Sequence, residues 1–185
     1  MKEMFLLIFT AFLTENVVFT KALGSDLLIK ATDQPTDALI LGGTVGAMTA
    51  VSCAVCSLIP VTGVFAVVIA AAVIVLLAFG VGLLLSRFAA KFYEKVKTAL
   101  ILASCDTAAA GAVLLNTASG REIGDSVLFG IAAGLGFLAA ALIFSGVNFR
   151  LRFSDPPRFF RGLPITLVTL GLIALAFSGF AGITF

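Results

Sequence analysis

The chain has no histidine, and only 12% of its 185 residues are charged. The first absence excludes histidine-based acid–base chemistry, haem ligation by histidine and most catalytic zinc sites. The second leaves too little polar surface to cover a soluble domain of this size, because 61% of the residues are hydrophobic. Cysteine is also sparse. Three cysteines, all in apolar surroundings, do not make a disulfide framework. Long polar loops are missing as well, so no soluble domain fits between the apolar segments. The net charge of +2 does not point to nucleic acid, since the basic residues fall in short loops beside the apolar segments.

What is present is long apolar runs. Ala38–Ile59, Val61–Leu85, Val127–Val147 and Leu163–Ile183 are nearly free of charge. Each is long enough to cross the roughly 30 Å hydrocarbon core as a helix of about 20 residues. Solid runs without period-two alternation mean helices rather than barrel strands. Two further segments are apolar but interrupted. Met4–Leu23 carries Thr14, Glu15 and Asn16 in its middle, and Tyr93–Leu115 carries Ser104, Cys105, Asp106 and Thr107. The short apolar stretch Met4–Leu13 could pass for a secretory signal, but Glu3 balances Lys2 and no clear cleavage site follows, so it is read as a retained first span. The expectation is an all-α membrane protein, a single transmembrane domain over residues 1–185 with six helices. Pro35, Pro60, Pro156–Pro157 and Gly162–Pro164 mark span ends, and Pro60 leaves the second and third spans as a tight antiparallel hairpin.

The order of spans is one broken, two clean, then the same again. Leu41-Gly42 with Gly46 in the second span matches Phe129-Gly130 with Gly134 in the fifth. A three-span unit repeated once enters the membrane upside down the second time. The expectation is therefore an inverted repeat, residues 1–86 and 92–185, with broken helices 1 and 4 that meet near the midplane. Ten of the twelve basic residues favour one face. Lys30, Arg87, Lys91, Lys95, Arg150, Arg152, Arg158 and Arg161 lie in its loops, with Lys21 and Lys97 close by, against Lys2 and Arg121 opposite. The basic side is expected to be cytoplasmic and both termini outside, in a prokaryotic cell (inner) membrane.

A carboxylate within a span is costly and by default marks a function. Glu15 and Asp106, with Asn16, therefore stand as candidate ion-path residues, with local hydrogen bonding or protonation as the plain alternative. Cys53 and Cys56 share a helix face, but no other soft ligand is nearby in sequence, and small apolar packing explains them better. Cys105 lies inside a polar break and is a candidate cofactor ligand. Arg158-Phe159-Phe160-Arg161 reads as an interfacial anchor, basic at the phosphates and aromatic at the boundary.

Three stretches resemble a known family. Pro157-Arg-Phe-Phe-Arg-Gly162, followed by Leu170 to Gly182, resembles the C-terminal end of the small membrane subunits of the Rnf and Na+-translocating NADH:quinone reductase complexes. The A-type subunit of the former and the E-type of the latter are the nearest forms. Thr14 to Gly24 resembles the first broken helix of that family, and Thr107 to Asn116 resembles the fourth. The resemblance implies a membrane subunit of an ion-translocating electron-transport complex, paired with a homologous six-helix subunit of opposite topology. It also implies an intramembrane [2Fe–2S] cluster to which each of the two subunits gives two cysteines. In this chain the two matching positions read Asp26 and Thr107, and Cys105 lies two residues before the second. Carboxylate and hydroxyl are poor substitutes for thiolate. Either the cluster is lost or altered, or the local register differs and Cys105 serves; an incomplete site is the favoured expectation. The rival class is a stand-alone or homodimeric small transporter that uses Glu15 and Asp106.

Overall fold

The computed structural model describes residues 16–31, 34–59 and 65–179. Every regular element among them is helical. In chain order these are α1 (Ser25–Ala31), α2 (Pro35–Ser57), α3 (Phe65–Phe88), α4 (Ala90–Ser104), α5 (Thr107–Ala118), α6 (Ile123–Leu151) and α7 (Leu163–Ser178). A 3-10 turn, Arg158–Phe160, precedes α7. Among the described residues α2, α3 and α6 are long and apolar enough to cross a membrane, and α4 with α5 forms one further span bent by 54°. Glu15, Pro60, the start of the first predicted span and the end of the sixth lie outside the described residues.

Local chemistry accounts for most of the boundaries. Pro35 opens α2, where its missing N–H costs nothing and its fixed φ suits the first helical turn, behind an extended Gln34. The 29 residues of α6 make a rod about 43 Å long at 1.5 Å per residue. That exceeds the hydrocarbon thickness and carries both ends into the headgroup region. Asp125 in its first turn and Arg150 in its last complement the helix dipole there. Polar residues tolerated at the interface thus extend this helix beyond the apolar limits Val127–Val147.

The bundle is organised around α2 and α6, which make the most extensive contact in the fold. They run antiparallel. A side-chain carbon on Gly42 would lie 2.7 Å from Leu138 Cδ1, and one on Gly130 would lie 2.9 Å from the Ala50 Cα. Between these points Gly46 and Gly134 face each other, so the backbones meet where no side chain intervenes. Such contact between small residues is how helices associate where lipid removes the hydrophobic drive between them. The buried core is accordingly small-residue rich, with Ala132, Ala133, Ala140 and Ala141 on α6 beside Phe129, Phe137 and Phe144.

α3 and α4 form a second antiparallel pair, joined by Ala89 alone outside helix geometry. They enclose a groove of about 270 Å³ lined by Val75, Gly82, Tyr93, Leu100 and Ser104, among others. The outward face of α3 exposes Val68, Leu76, Phe79 and Leu84, and α7 likewise exposes Leu172 and Leu175. In water such surfaces would be untenable; against lipid they are the expected coat.

Candidate functional site

Both broken spans converge on the middle of α6. Asn16, buried, donates from Nδ2 to the Gly136 carbonyl at 3.0 Å. Its Oδ1 accepts from the Val18 and Phe19 amides at 3.0 and 3.4 Å, a capping arrangement for the single turn that the Thr20 amide closes on the Asn16 carbonyl at 2.9 Å. The chain runs on to Gly24, whose φ of +77° is one that side chains rarely adopt. Space forbids a side chain as well: a Cβ there would lie 2.7 Å from the Phe137 ring and 2.8 Å from the Ala108 Cβ. Helix geometry begins at Ser25.

Asn16, where the first break is predicted, lies in a non-helical stretch, and Thr14 and Glu15 lie outside the described residues. The non-helical stretch among the described residues runs from Asn16 to Gly24, and the chain continues as α1, beyond the predicted span end at Leu23. Asn16 caps a single turn there, and the chain enters α1 through Ala22 and Gly24, both with positive φ.

The fourth span breaks where its polar residues predict. Cys105 ends α4, and Asp106, with extended backbone, caps α5. Asp106 is buried, and its two carboxylate oxygens accept from the Ala108 and Ala109 amides at 3.1 and 3.3 Å. These are orphan donors of the first helical turn, so the carboxylate is both satisfied and placed at the positive end of the helix dipole.

The two breaks touch. The Gly24 amide donates to the Thr107 hydroxyl at 2.8 Å. A Cβ on Gly24 would lie 3.2 Å from Asp106 Oδ1, which sets the turn directly against the α5 cap. Asp26, exposed on the first turn of α1, follows Gly24 by two residues. Thr107 and Cys105 are also exposed, and the Cys105 sulfur lies 3.8 Å from the Ser104 hydroxyl. The structure therefore brings Asp26, Asp106 and Thr107 to one place, with Cys105 next in the chain. Asn16 instead engages α6, and Glu15 lies outside the described residues.

Asp26 and Thr107 do not form a thiolate pair. One is a carboxylate, and the other's hydroxyl already accepts a backbone hydrogen bond. Cys53 and Cys56 are buried on α2, where Cys53 faces Gly130 and Cys56 faces α3 and α5. Among the described residues no three histidine, cysteine, aspartate or glutamate side chains form a group that could hold a metal ion. The two positions that the resemblance gives to cluster cysteines thus carry a carboxylate and a hydroxyl, which are poor substitutes for thiolate.

The Gly24–Thr107 contact escapes sequence reasoning, since its partners lie 83 residues apart. So do the buried oxygens of Ser52, Asn116 and Ser145, which lack a protein hydrogen-bond partner among the described residues. A lone serine or asparagine in an apolar helix gives no local signal of that.

Known proteins share this sequence pattern. Residues 4–184 match the family model described as "Rnf-Nqr subunit, membrane protein". The chain is 36% identical over 104 residues to the A-type subunit of the ion-translocating oxidoreductase complex of Azoarcus sp. (strain BH72), covering 56% of this chain and 54% of that one. It is 40% identical over 91 residues to the corresponding protein from Syntrophotalea carbinolica, covering 49% and 47%. With the E-type subunit of the Na(+)-translocating NADH-quinone reductase of Pseudoalteromonas translucida it shares 36% identity over 100 residues, covering 54% and 50%. The matched regions thus span about half the length of these curated relatives.

Proposed function

The chain belongs to the Rnf-Nqr family of membrane subunits, and from that membership we propose that it acts as a membrane subunit of an ion-translocating electron-transport complex. The family match over residues 4–184 is the observation that carries this reading. The named relatives belong to two such complexes.

We infer that the fold is an inverted repeat of residues 1–86 and 92–185. The contacts between α2 and α6 support it. Adding 88 to Gly42, Gly46 and Ala50 gives Gly130, Gly134 and Leu138, and the contacts exchange in the same way: Gly42 meets Leu138, Gly130 meets Ala50, and Gly46 meets Gly134. A two-fold relation in the membrane plane produces this reciprocity. With it goes an orientation in which the basic loops face the cytoplasm and both termini face outward, in the inner membrane.

The partner is a homologous six-helix subunit of opposite topology, as part of a larger assembly. Exposed Asp26, Cys105 and Thr107 border the join between the two broken spans, a surface that is unfavourable against lipid tails and favours burial against protein. The role of this chain is structural, with an ion path through the polar breaks, rather than that of a complete catalyst.

The test is purification from native membranes through a tag on this chain, in mild detergent, with identification of the proteins that accompany it. Recovery in fixed stoichiometry with a second six-span subunit and with redox subunits supports the proposal. Recovery only as an isolated monomer or homodimer that exchanges ions or solutes in vesicles overturns it.

A further inference from the structure

We propose that a hydrogen-bonded clasp, the Gly24 amide on the Thr107 hydroxyl, joins the two interrupted spans in place of a metal centre. The subunit then carries its share of the midplane site metal-free.

The clasp joins the starts of two helices. Gly24 immediately precedes α1, and Thr107 is the first residue of α5, so the two half-helices start against each other. The bond is 2.8 Å long and spans 83 residues of sequence. On its inner side the packing is tight, while Thr107 itself is exposed on the other. Phe137 and Ala108 fill the space on which a Gly24 side chain would intrude, and both Asp106 oxygens are engaged by the α5 amides. Gly24, Asp106 and Thr107 thus each have a protein partner at the junction.

The same chemistry argues against a cluster. A thiol is a weak acceptor, so cysteine at position 107 would lose most of the bond from Gly24 that the hydroxyl makes. Iron–sulfur centres are held by cysteine thiolates and carry negative charge, whereas here the Asp106 carboxylate lies against Gly24 and that of Asp26 follows two residues later. Like charges confined in a low dielectric repel strongly. Cys105 is the one thiol near, and it sits at the exposed end of α4 rather than on α5.

The identity of the group that is replaced rests on the family reading above, whereas the clasp rests on geometry alone. The experiment separates them. The chain is purified with whatever subunits accompany it, as wild type and as Asp26→Asn, Cys105→Ala, Thr107→Ser and Thr107→Val. Iron and acid-labile sulfide are measured, and thermal unfolding is recorded with and without a strong chelator. The expected result is the same iron and sulfide content in all five preparations and no effect of chelator on the unfolding of this subunit. Thr107→Ser should melt as wild type and Thr107→Val several degrees lower. A valine variant too unstable to purify counts the same way if the serine variant is recovered. Loss of one cluster's worth of iron and sulfide in Asp26→Asn or Cys105→Ala would overturn the proposal, as would a valine variant that melts with the wild type. Failure of partner subunits to co-purify would sink the family-based function while leaving the clasp to be judged on unfolding alone.

Discussion

Gly46 and Gly134 face each other at the crossing of α2 and α6, where a Cβ on Gly134 would lie 2.7 Å from the Gly46 Cα. Their backbones are in direct contact, and everything else in the bundle is arranged about that point. Gly134→Ala must therefore push two helices apart. Overpacking of this kind costs about 1–3 kcal/mol. The variant should lose several degrees of thermal stability in detergent, and Gly46→Ala should behave alike. Gly43→Ala, one turn away with nothing within 4 Å, should match or slightly exceed the wild type, because alanine is the better helix former. Equal melting of all three variants would refute the assigned crossing.

Asp106 acts as a cap, and a cap can be weighed. Asp106→Ala removes the acceptors for Ala108 and Ala109 and should cost about 1–2 kcal/mol, near the upper end for such residues. Asp106→Asn keeps one acceptor oxygen and should retain roughly half of that. Denaturation in mixed micelles would reveal the order wild type, asparagine, alanine. An alanine variant as stable as the asparagine one would mean that the carboxylate serves something other than the helix start.

Asn16→Leu should be more damaging than its position suggests. It frees the Val18 and Phe19 amides inside the protein and removes the tie to Gly136. Leaving buried donors unsatisfied costs about 1–3 kcal/mol per group. Limited proteolysis should then cut between residues 16 and 24, where the wild type resists. Identical cleavage patterns would contradict the anchoring role.

By contrast, the exposed Arg161–Asp155 pair should matter little to stability. Ion pairs in contact with solvent contribute about 0–1 kcal/mol. Asp155→Ala should melt within a degree or so of the wild type. A large drop would mean that the loop is tied down more firmly than its exposure indicates.

The orientation can be read with thiol reagents. In a background without native cysteines, Ser119→Cys at the end of α5 should react with a membrane-impermeant maleimide on intact cells. Ser154→Cys, in the basic loop after α6, should react only once the cells are opened. Both positions are exposed, so the reagent can reach them. Labelling of position 154 from outside would invert the topology.

Much of this architecture is legible in the chain because lipid allows so few solutions. Apolar runs gave α2, α3 and α6 within four residues at each end, and the polar group at Ser104–Thr107 located the bend of the fourth span. The deviations have physical causes. Headgroups tolerate Asp125 and Arg150 within a helix, so α6 outlasts its apolar stretch. The first break extends to Gly24 because the turn that Asn16 caps ends after one round and the chain reaches α1 only through positive φ at Ala22 and Gly24. The glycine match between α2 and α6 was visible as a pattern, but that these glycines touch each other was not. The junction itself was hidden: the Gly24–Thr107 bond is made by two parts of the chain with no local periodicity in common, and Asp106 reads the same from sequence whether it caps a helix or binds an ion.

The two broken spans differ in when their polar groups can be satisfied. Asp106 takes its partners from Ala108 and Ala109, which emerge from the ribosome almost with it, so the fourth span can pass into the bilayer with its carboxylate already engaged. Asn16 reaches Gly136, 120 residues downstream. During synthesis the first span must wait, its amide without that partner, until α6 has been made and brought alongside. The two ties therefore close in a fixed order: the Asp106 cap as soon as the first turn of α5 exists, the Asn16 tie only when α6 lies alongside.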